Sequence, residues 1–198
     1  MPADFRHTRF LKSAAALADL PPDTGCEVAF AGRSNAGKSS ALNAITGVNG
    51  LARVSKTPGR TQLINLFTLD ETRRLVDLPG YGYAKVPDAV RAQWGRLMEA
   101  YFSCRQALVG LVLVMDIRHP LTEFDRHMLA WSSPLNLPVL ALLTKSDKLT
   151  RNHANQAARE VSRQLAAFPM ATVGIFSAVS RQGVDAARQI LATWLHMT

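Results

Sequence analysis

Hydrophobic residues fall along the chain in short unbroken runs that alternate with longer stretches whose apolar positions recur every three or four residues. Runs such as VAFAG at 28–32, ALVGLVLVM at 107–115 and VLALL at 139–143 read as strands buried on both faces, and the segments between them as amphipathic helices. The pattern predicts strands over 28–32, 62–69, 74–77, 108–115, 139–143 and 172–176, and helices over 38–46, 88–103, 123–132, 152–167 and 183–195. Such alternation is the mark of βαβ units, hence of an α/β fold in which a largely parallel sheet lies between helical layers. Pro134, Pro138 and Pro169 fall in the connections, where a residue that cannot continue a helix is tolerated.

Two connections break the pattern. VNGLARVSKTPGRT at 48–61 has little hydrophobic period, and LPGYGYAKVP at 78–87 holds two glycines and two prolines. Long irregular connections in compact domains tend to carry function, so both are candidate moving loops. The 198 residues suffice for one sizeable core, with no repeat, low-complexity tract or linker to divide them. One domain is expected, with a short N-terminal extension over about residues 1–24.

Composition narrows the class. With 47% hydrophobic and 19% charged residues the chain resembles ordinary globular proteins, which argues against extensive disorder. The longest apolar run stops at Asp116 and is far too short to cross a bilayer, and the first residues hold no continuous hydrophobic segment with a cleavage site. A cytoplasmic protein without membrane contact is expected. Cys26 and Cys104 stand apart without CxxC or Cys/His spacing, so buried free thiols are expected rather than a disulfide or a zinc site. The net charge of +8 is concentrated in residues 47–105 and 151–198. That excess would attract a polyanion such as RNA, or is simply a solvated surface, and composition does not choose between them.

The chemistry begins at GRSNAGKSS, residues 32–40, which satisfies GxxxxGK[ST] between a predicted strand and a predicted helix. Gly32 and Gly37 let the backbone of Arg33, Ser34, Asn35 and Ala36 curl with its N–H groups inward, and the helix N-terminus adds partial positive charge. Lys38 would bridge the outer phosphates of a nucleotide, and Ser39 would offer its hydroxyl to Mg²⁺. Such a cradle reads phosphate and is silent about the base.

The base is addressed by TKSD, residues 144–147, directly after a predicted strand. Asp147 can accept hydrogen bonds from the ring N–H and exocyclic amine of guanine, whereas adenine would oppose acceptor to acceptor. Lys145 can lay its methylene stem across the base plane. Between cradle and base reader stands DLPG, in which Asp77 can hold Mg²⁺ through water and Gly80 can bring its N–H close to a terminal phosphate. TPGRTQ supplies Thr57 and Thr61 as candidates for the second hydroxyl on the metal, with Thr61 the better anchored. Alone, each feature also reads as a turn or a helix cap; in this order they fit one nucleotide-binding architecture.

With these residues in place, the chain resembles the EngB family (also called YihA or YsxC) of bacterial GTPases, within the TrmE-Era-EngA-EngB-like group. The resemblance runs from FLKSA near Phe10 to the C-terminus, and DLPGYGYA and TPGRTQ are its most specific parts. It implies a Ras-like G domain: a P-loop NTPase three-layer sandwich on a mostly parallel six-stranded sheet. It further implies a GTP/GDP site formed by Gly32 to Ser39, by Gly59, Arg60, Thr61, Gln62 and Leu63, by Asp77, Leu78, Pro79 and Gly80, by Thr144, Lys145, Ser146 and Asp147, and by Phe176, Ser177 and Ala178. Mg²⁺ would sit on Ser39, Thr61 and Asp77, and Lys38, Thr61, Gly80 and Asn35 would serve the reaction.

The family is linked to assembly of the large (50S) ribosomal subunit and to normal cell division and septation, so a monomer acting on that subunit's rRNA and proteins is implied. Related GTPases with Asn in the cradle use K⁺, which makes Asn35 either a potassium ligand or a residue that tolerates an awkward backbone. Tyr81 stands where many switch GTPases carry a water-orienting Gln, so slow hydrolysis is expected. Two other readings are weighed: a GTP-gated adaptor that does not hydrolyse, and a P-loop phosphotransferase, which would leave TKSD unexplained.

Overall fold

The structure, a computed structural model, describes residues 4–52, 63–80 and 88–197, and side chains within 88–91 are not among what it describes. Among the described residues seven strands form one sheet: β1 (Arg9–Ala14), β2 (Cys26–Gly32), β3 (Ile64–Thr68), β4 (Arg73–Asp77), β5 (Leu108–Asp116), β6 (Val139–Thr144) and β7 (Ala171–Ile175). Their spatial order is β1-β3-β4-β2-β5-β6-β7. β4, β2, β5, β6 and β7 run parallel, while β3 is antiparallel to both β4 and β1.

Five α-helices occur among the described residues: α1 (Lys38–Thr46), α2 (Asp88–Cys104), α3 (Glu123–Ser132), α4 (Arg151–Gln164) and α5 (Val184–Trp194). The expected α/β class holds, with each predicted element present to within a few residues at its ends. The strand count does not. The expected six become seven because RFLKSA adds β1 to the edge of the sheet.

Alternation along the strands explains the two cores. Ala29, Ala31, Leu111, Leu113 and Met115 point to one face, where they meet Met98 and Phe102 of α2, Phe124 and Met128 of α3, and Val161 of α4. Val28, Phe30, Val112 and Val114 point to the other, against Leu42 and Ile45 of α1 and Leu191 of α5. Because both faces are covered, β5 and β6 are apolar at almost every position. Gly110 is required within β5, since a Cβ there would lie 2.3 Å from the Trp194 ring of α5. Cys26 and Cys104 are free thiols as expected, but Cys26 is half-buried and Cys104 exposed.

Candidate functional site

Parallel strands end together, and here β2, β4, β5, β6 and β7 bring Gly32, Asp77, Asp116, Thr144 and the segment after Ile175 to one side of the sheet. Open α/β sheets bind ligands outside these carboxyl ends. The turn from β2 into α1 lies at the centre. Gly37 caps α1 in the left-handed region at φ 96°, so glycine is needed there for its conformation, and a Cβ would only touch the Thr144 hydroxyl at 3.4 Å. Gly32 is needed for space alone, because a Cβ would fall 2.7 Å from the Val114 carbonyl. Asn35 is also left-handed, at φ 63°, a conformation that Asn tolerates better than most residues.

The TKSD segment is tied to this turn by two side chains. The Thr144 hydroxyl has the carbonyl oxygens of Ala36 and Met115 within reach, and its single hydrogen serves one of them at a time. A threonine thus does reach the cradle from this position. The Lys145 ammonium donates to the Asn35 carbonyl at 2.7 Å and pairs with Asp116 at 2.9 Å. Lys145 is itself left-handed at φ 60°.

Asp147 is held two residues further on. Its carboxylate accepts the Ser177 hydroxyl at 2.6 Å, and this bond holds its pKa below the usual carboxylate value. Ser177 is fully buried just beyond β7, and its N–H donates to the Gln182 carbonyl at 3.0 Å. The Ser146 hydroxyl donates to the Gln182 side chain at 2.9 Å, and the Ser146 N–H to the Phe176 carbonyl at 3.2 Å. The segments 144–147 and 176–177 are therefore hydrogen-bonded to each other, directly and through Gln182.

On the other flank, Lys38 and Asp77 pair directly, both nearly buried. Lys38 stands at the first turn of α1 and Asp77 at the end of β4, paired in register with Phe30 of β2. Gly80 follows within contact of the turn, since a Cβ on it would lie 3.8 Å from the Gly32 carbonyl and the Ser34 Cα. No cluster of three or more acidic, His or Cys side chains suited to a metal occurs among the described residues. A Ser39 hydroxyl and an Asp77 carboxylate are instead the hard oxygen donors that Mg²⁺ takes together with phosphate and water, so the donor set fits that ion.

The structure thus gathers Gly32 to Ser39, Asp77 to Gly80, Thr144 to Asp147 and Phe176 to Ala178. Of the remaining predicted residues, Leu63 is half-buried immediately before β3, whereas Gly59, Arg60, Thr61 and Gln62, like Tyr81, lie outside the described residues. Two contributors, Asp116 and Arg118, lie outside the expected set, and the grip of the expected Ser177 on Asp147 was not foreseen. Asp116 grips Lys145, and Arg118 holds Asp116 at 2.7 Å; these bonds keep the Asp116 carboxyl well below its usual pKa, that to Arg118 foremost. The abrupt end of the apolar run at Asp116, followed by Arg118, was the one local signal.

Residues 27–145 match the family model described as "50S ribosome-binding GTPase". A "Probable GTP-binding protein EngB" of Nitrosococcus oceani is 58% identical over 192 residues, covering 96% of each chain. The chain belongs to the EngB family of GTP-binding proteins. Other EngB relatives, from Methylobacillus flagellatus and Coxiella burnetii, are 55% and 52% identical over 96% of this chain and 93% of their own. Among solved structures, one titled "Crystal structure of a probable GTP-binding protein engB" superposes with a TM-score of 0.69 at 19% identity, covering 87% of this chain and 100% of that one. Era in complex with MgGDPNP and nucleotides 1506-1542 of 16S ribosomal RNA superposes with a TM-score of 0.64 at 19% identity, over 86% of this chain and 57% of Era. At these identities the two structures speak for the fold alone. The EngB relatives carry the family.

Proposed function

We propose that the chain is a slow GTPase that binds GTP and GDP with Mg²⁺ in this cleft and works as a nucleotide-controlled switch in large-subunit ribosome assembly. The observation that carries the reading is the convergence of the guanine-reading segment on the phosphate turn. Thr144 and Lys145 bond to the carbonyls of Ala36 and Asn35, two and three residues before Lys38. Asp147, oriented by Ser177, would take the guanine N–H groups, and the amides of residues 33–38 the phosphates. Mg²⁺ on Ser39, Thr61 and Asp77 would offset charge on the outer phosphates when bound. Lys38 has to leave Asp77 to meet those phosphates, which frees the carboxylate for its own role. Gly80 would approach the terminal phosphate.

The unit acts as a single monomeric domain in the cytoplasm on this reading. GTP would order segments 48–61 and 78–87 into a surface whose Arg53, Lys56, Arg60 and Lys85 meet rRNA or ribosomal protein of the large subunit. Failure of that switch would disturb growth, division and septation. Family membership and the basic excess support this step.

Titration with GTP, GDP and ATP tests the base preference. Asp147→Asn should lower GDP affinity about a hundredfold or more, because a charged acceptor of two hydrogen bonds is lost, and should shift preference towards xanthosine nucleotides. Unchanged guanine affinity would overturn the assignment. Asn35 as a potassium ligand would place positive charge where the transition state builds negative charge. Single-turnover hydrolysis should then be several-fold or more faster in KCl than in NaCl of equal ionic strength, and equal rates would remove K⁺ from the reading.

A further inference from the structure

The basic excess of residues 151–198 takes no part in the nucleotide site, and three of the five arginines in that stretch lie on α4. Ala154 and Val161 are buried, with Ala157 and Ala158 half-buried, on the side of α4 that meets the sheet. Asn155, Gln156, Arg159 and Arg163 follow Asn152 by three, four, seven and eleven residues, so these five share the opposite side, and all are exposed. Arg151 stands in the first turn, which holds no acidic residue even though the positive end of the helix dipole favours one there.

Counter-charge is scarce on this face. Glu160 is the one acidic residue of α4, and it is occupied: it pairs with Arg163 at 3.0 Å and accepts from the Gln164 amide at 3.1 Å. Arg126 of α3 donates to the Gln164 side chain at 3.1 Å and so carries the positive field across to the neighbouring helix. Arg151 and Arg159 make no ion pair among the described residues. A face kept only for solubility interleaves both signs, and this one does not.

The side chains also select the polyanion. None of the five is aromatic, so an unpaired base has nothing to stack on, and none is apolar, so a lipid surface has nothing to take in. Arginine suits phosphate oxygens, while the amides of Asn152, Asn155 and Gln156 both donate and accept, as a ribose 2′-hydroxyl does. Double-helical RNA displays phosphates and 2′-hydroxyls together along its wide, shallow minor groove.

We propose that the outer face of α4 docks double-helical rRNA of the large subunit through its phosphates and 2′-hydroxyls. The choice of ribosomal RNA rests on the large-subunit role proposed above; affinity for duplex RNA does not. α4 starts four residues after Asp147 and packs on β7, apart from the segments 48–61 and 78–87 that GTP would order. The contact therefore holds in the GDP and GTP states alike, and those two segments add the part that depends on the nucleotide.

Fluorescence anisotropy with a labelled RNA duplex tests this on the whole chain, loaded with GDP or with the β,γ-imido analogue of GTP, over a range of KCl. The parent chain should bind in both states, and more tightly than it binds a DNA duplex of the same sequence. The triple variant Arg151→Gln, Arg159→Gln, Arg163→Gln should bind at least about tenfold more weakly at about 0.1 M salt in both states, with the slope of log affinity against log salt shallower by about two to three. Its circular dichroism and GDP affinity should match the parent's, because glutamine is nearly as good a helix former as arginine and none of the three belongs to the nucleotide site. Asn155→Ala with Gln156→Ala should leave the slope in place and narrow the preference for RNA over DNA.

Equal RNA binding by the parent and the triple variant, DNA bound as tightly as RNA, or a loss confined to the analogue-loaded state would each overturn the proposal. So would a triple variant that binds the duplex normally yet no longer associates with large subunits, since the face would then meet a ribosomal protein. Failure of the chain to take up either nucleotide would count against the nucleotide reading, and the same titration of the nucleotide-free chain would still decide this one.

Discussion

The two ends of the sheet both bury charge, and they do so in opposite ways. At the amino ends of the strands Glu27, fully buried on β2, accepts from Arg74 at 2.7 Å and from Arg105 at 2.6 and 2.9 Å. The spare guanidinium N–H groups of Arg105 and Arg74 go to the carbonyls of Pro21 and Thr24. One carboxylate faces two cations there, and the buried Tyr101 hydroxyl beside them is the group without a hydrogen-bond partner. At the carboxyl ends, Lys38 and Asp77 pair with each other, Asn35 and Lys145 are left-handed, and an oxygen of Asp125 is orphaned. The ion-paired cluster at the amino ends fastens the fold, and the one at the carboxyl ends is what the proposed nucleotide would rearrange.

The contrast breaks most visibly at Glu27. Replacing it by Gln leaves two arginines facing a neutral amide and should cost about 3–5 kcal/mol in denaturant unfolding, with GDP affinity little changed in the folded fraction. Asp147→Asn should do the reverse: the affinity loss given above, with stability moved by less than about 1 kcal/mol, because its partner Ser177 can still donate to the amide oxygen. A stability loss as large as that of Glu27→Gln would place Asp147 among the fastening residues instead.

The smallest effect is a slope. Burial raises the Asp125 pKa above its ordinary 3.8, so the folded state holds this proton more tightly than the unfolded chain does. The stability that follows is fully present below about pH 4, the unfolded range, and is lost as pH rises through the higher folded value. Asp125→Asn should therefore gain stability relative to the parent chain across that window and hold the gain above it. A constant difference at all pH values would show that Asp125 is compensated by a partner.

Much of this was legible in the sequence because it was locally encoded. The double-faced apolar runs of β5 and β6 and the Thr122–Asp125 start of α3 predict their elements directly. The phosphate turn is readable for a related reason, since Gly32 and Gly37 sit where space and a positive φ demand them. β1 was not legible. Its residues 9–12 are exposed on both sides, so no alternation marks it, and its strand character comes from pairing with β3, at least 50 residues away. The same limit hid the Ser177–Asp147 bond, which exists only once distant strand ends meet.

β1 also has a consequence for how copies of this protein behave at high concentration. Its pairing with β3 shifts register between Phe10 and Lys12, so Leu11 is extruded, and Arg9 and Lys12 flank it in solvent. A second chain seeking to extend the sheet there would meet an interrupted row of amides and two like charges. This edge strand is thus a poor template for fibril growth, even though it carries two exposed apolar side chains, Phe10 and Leu11.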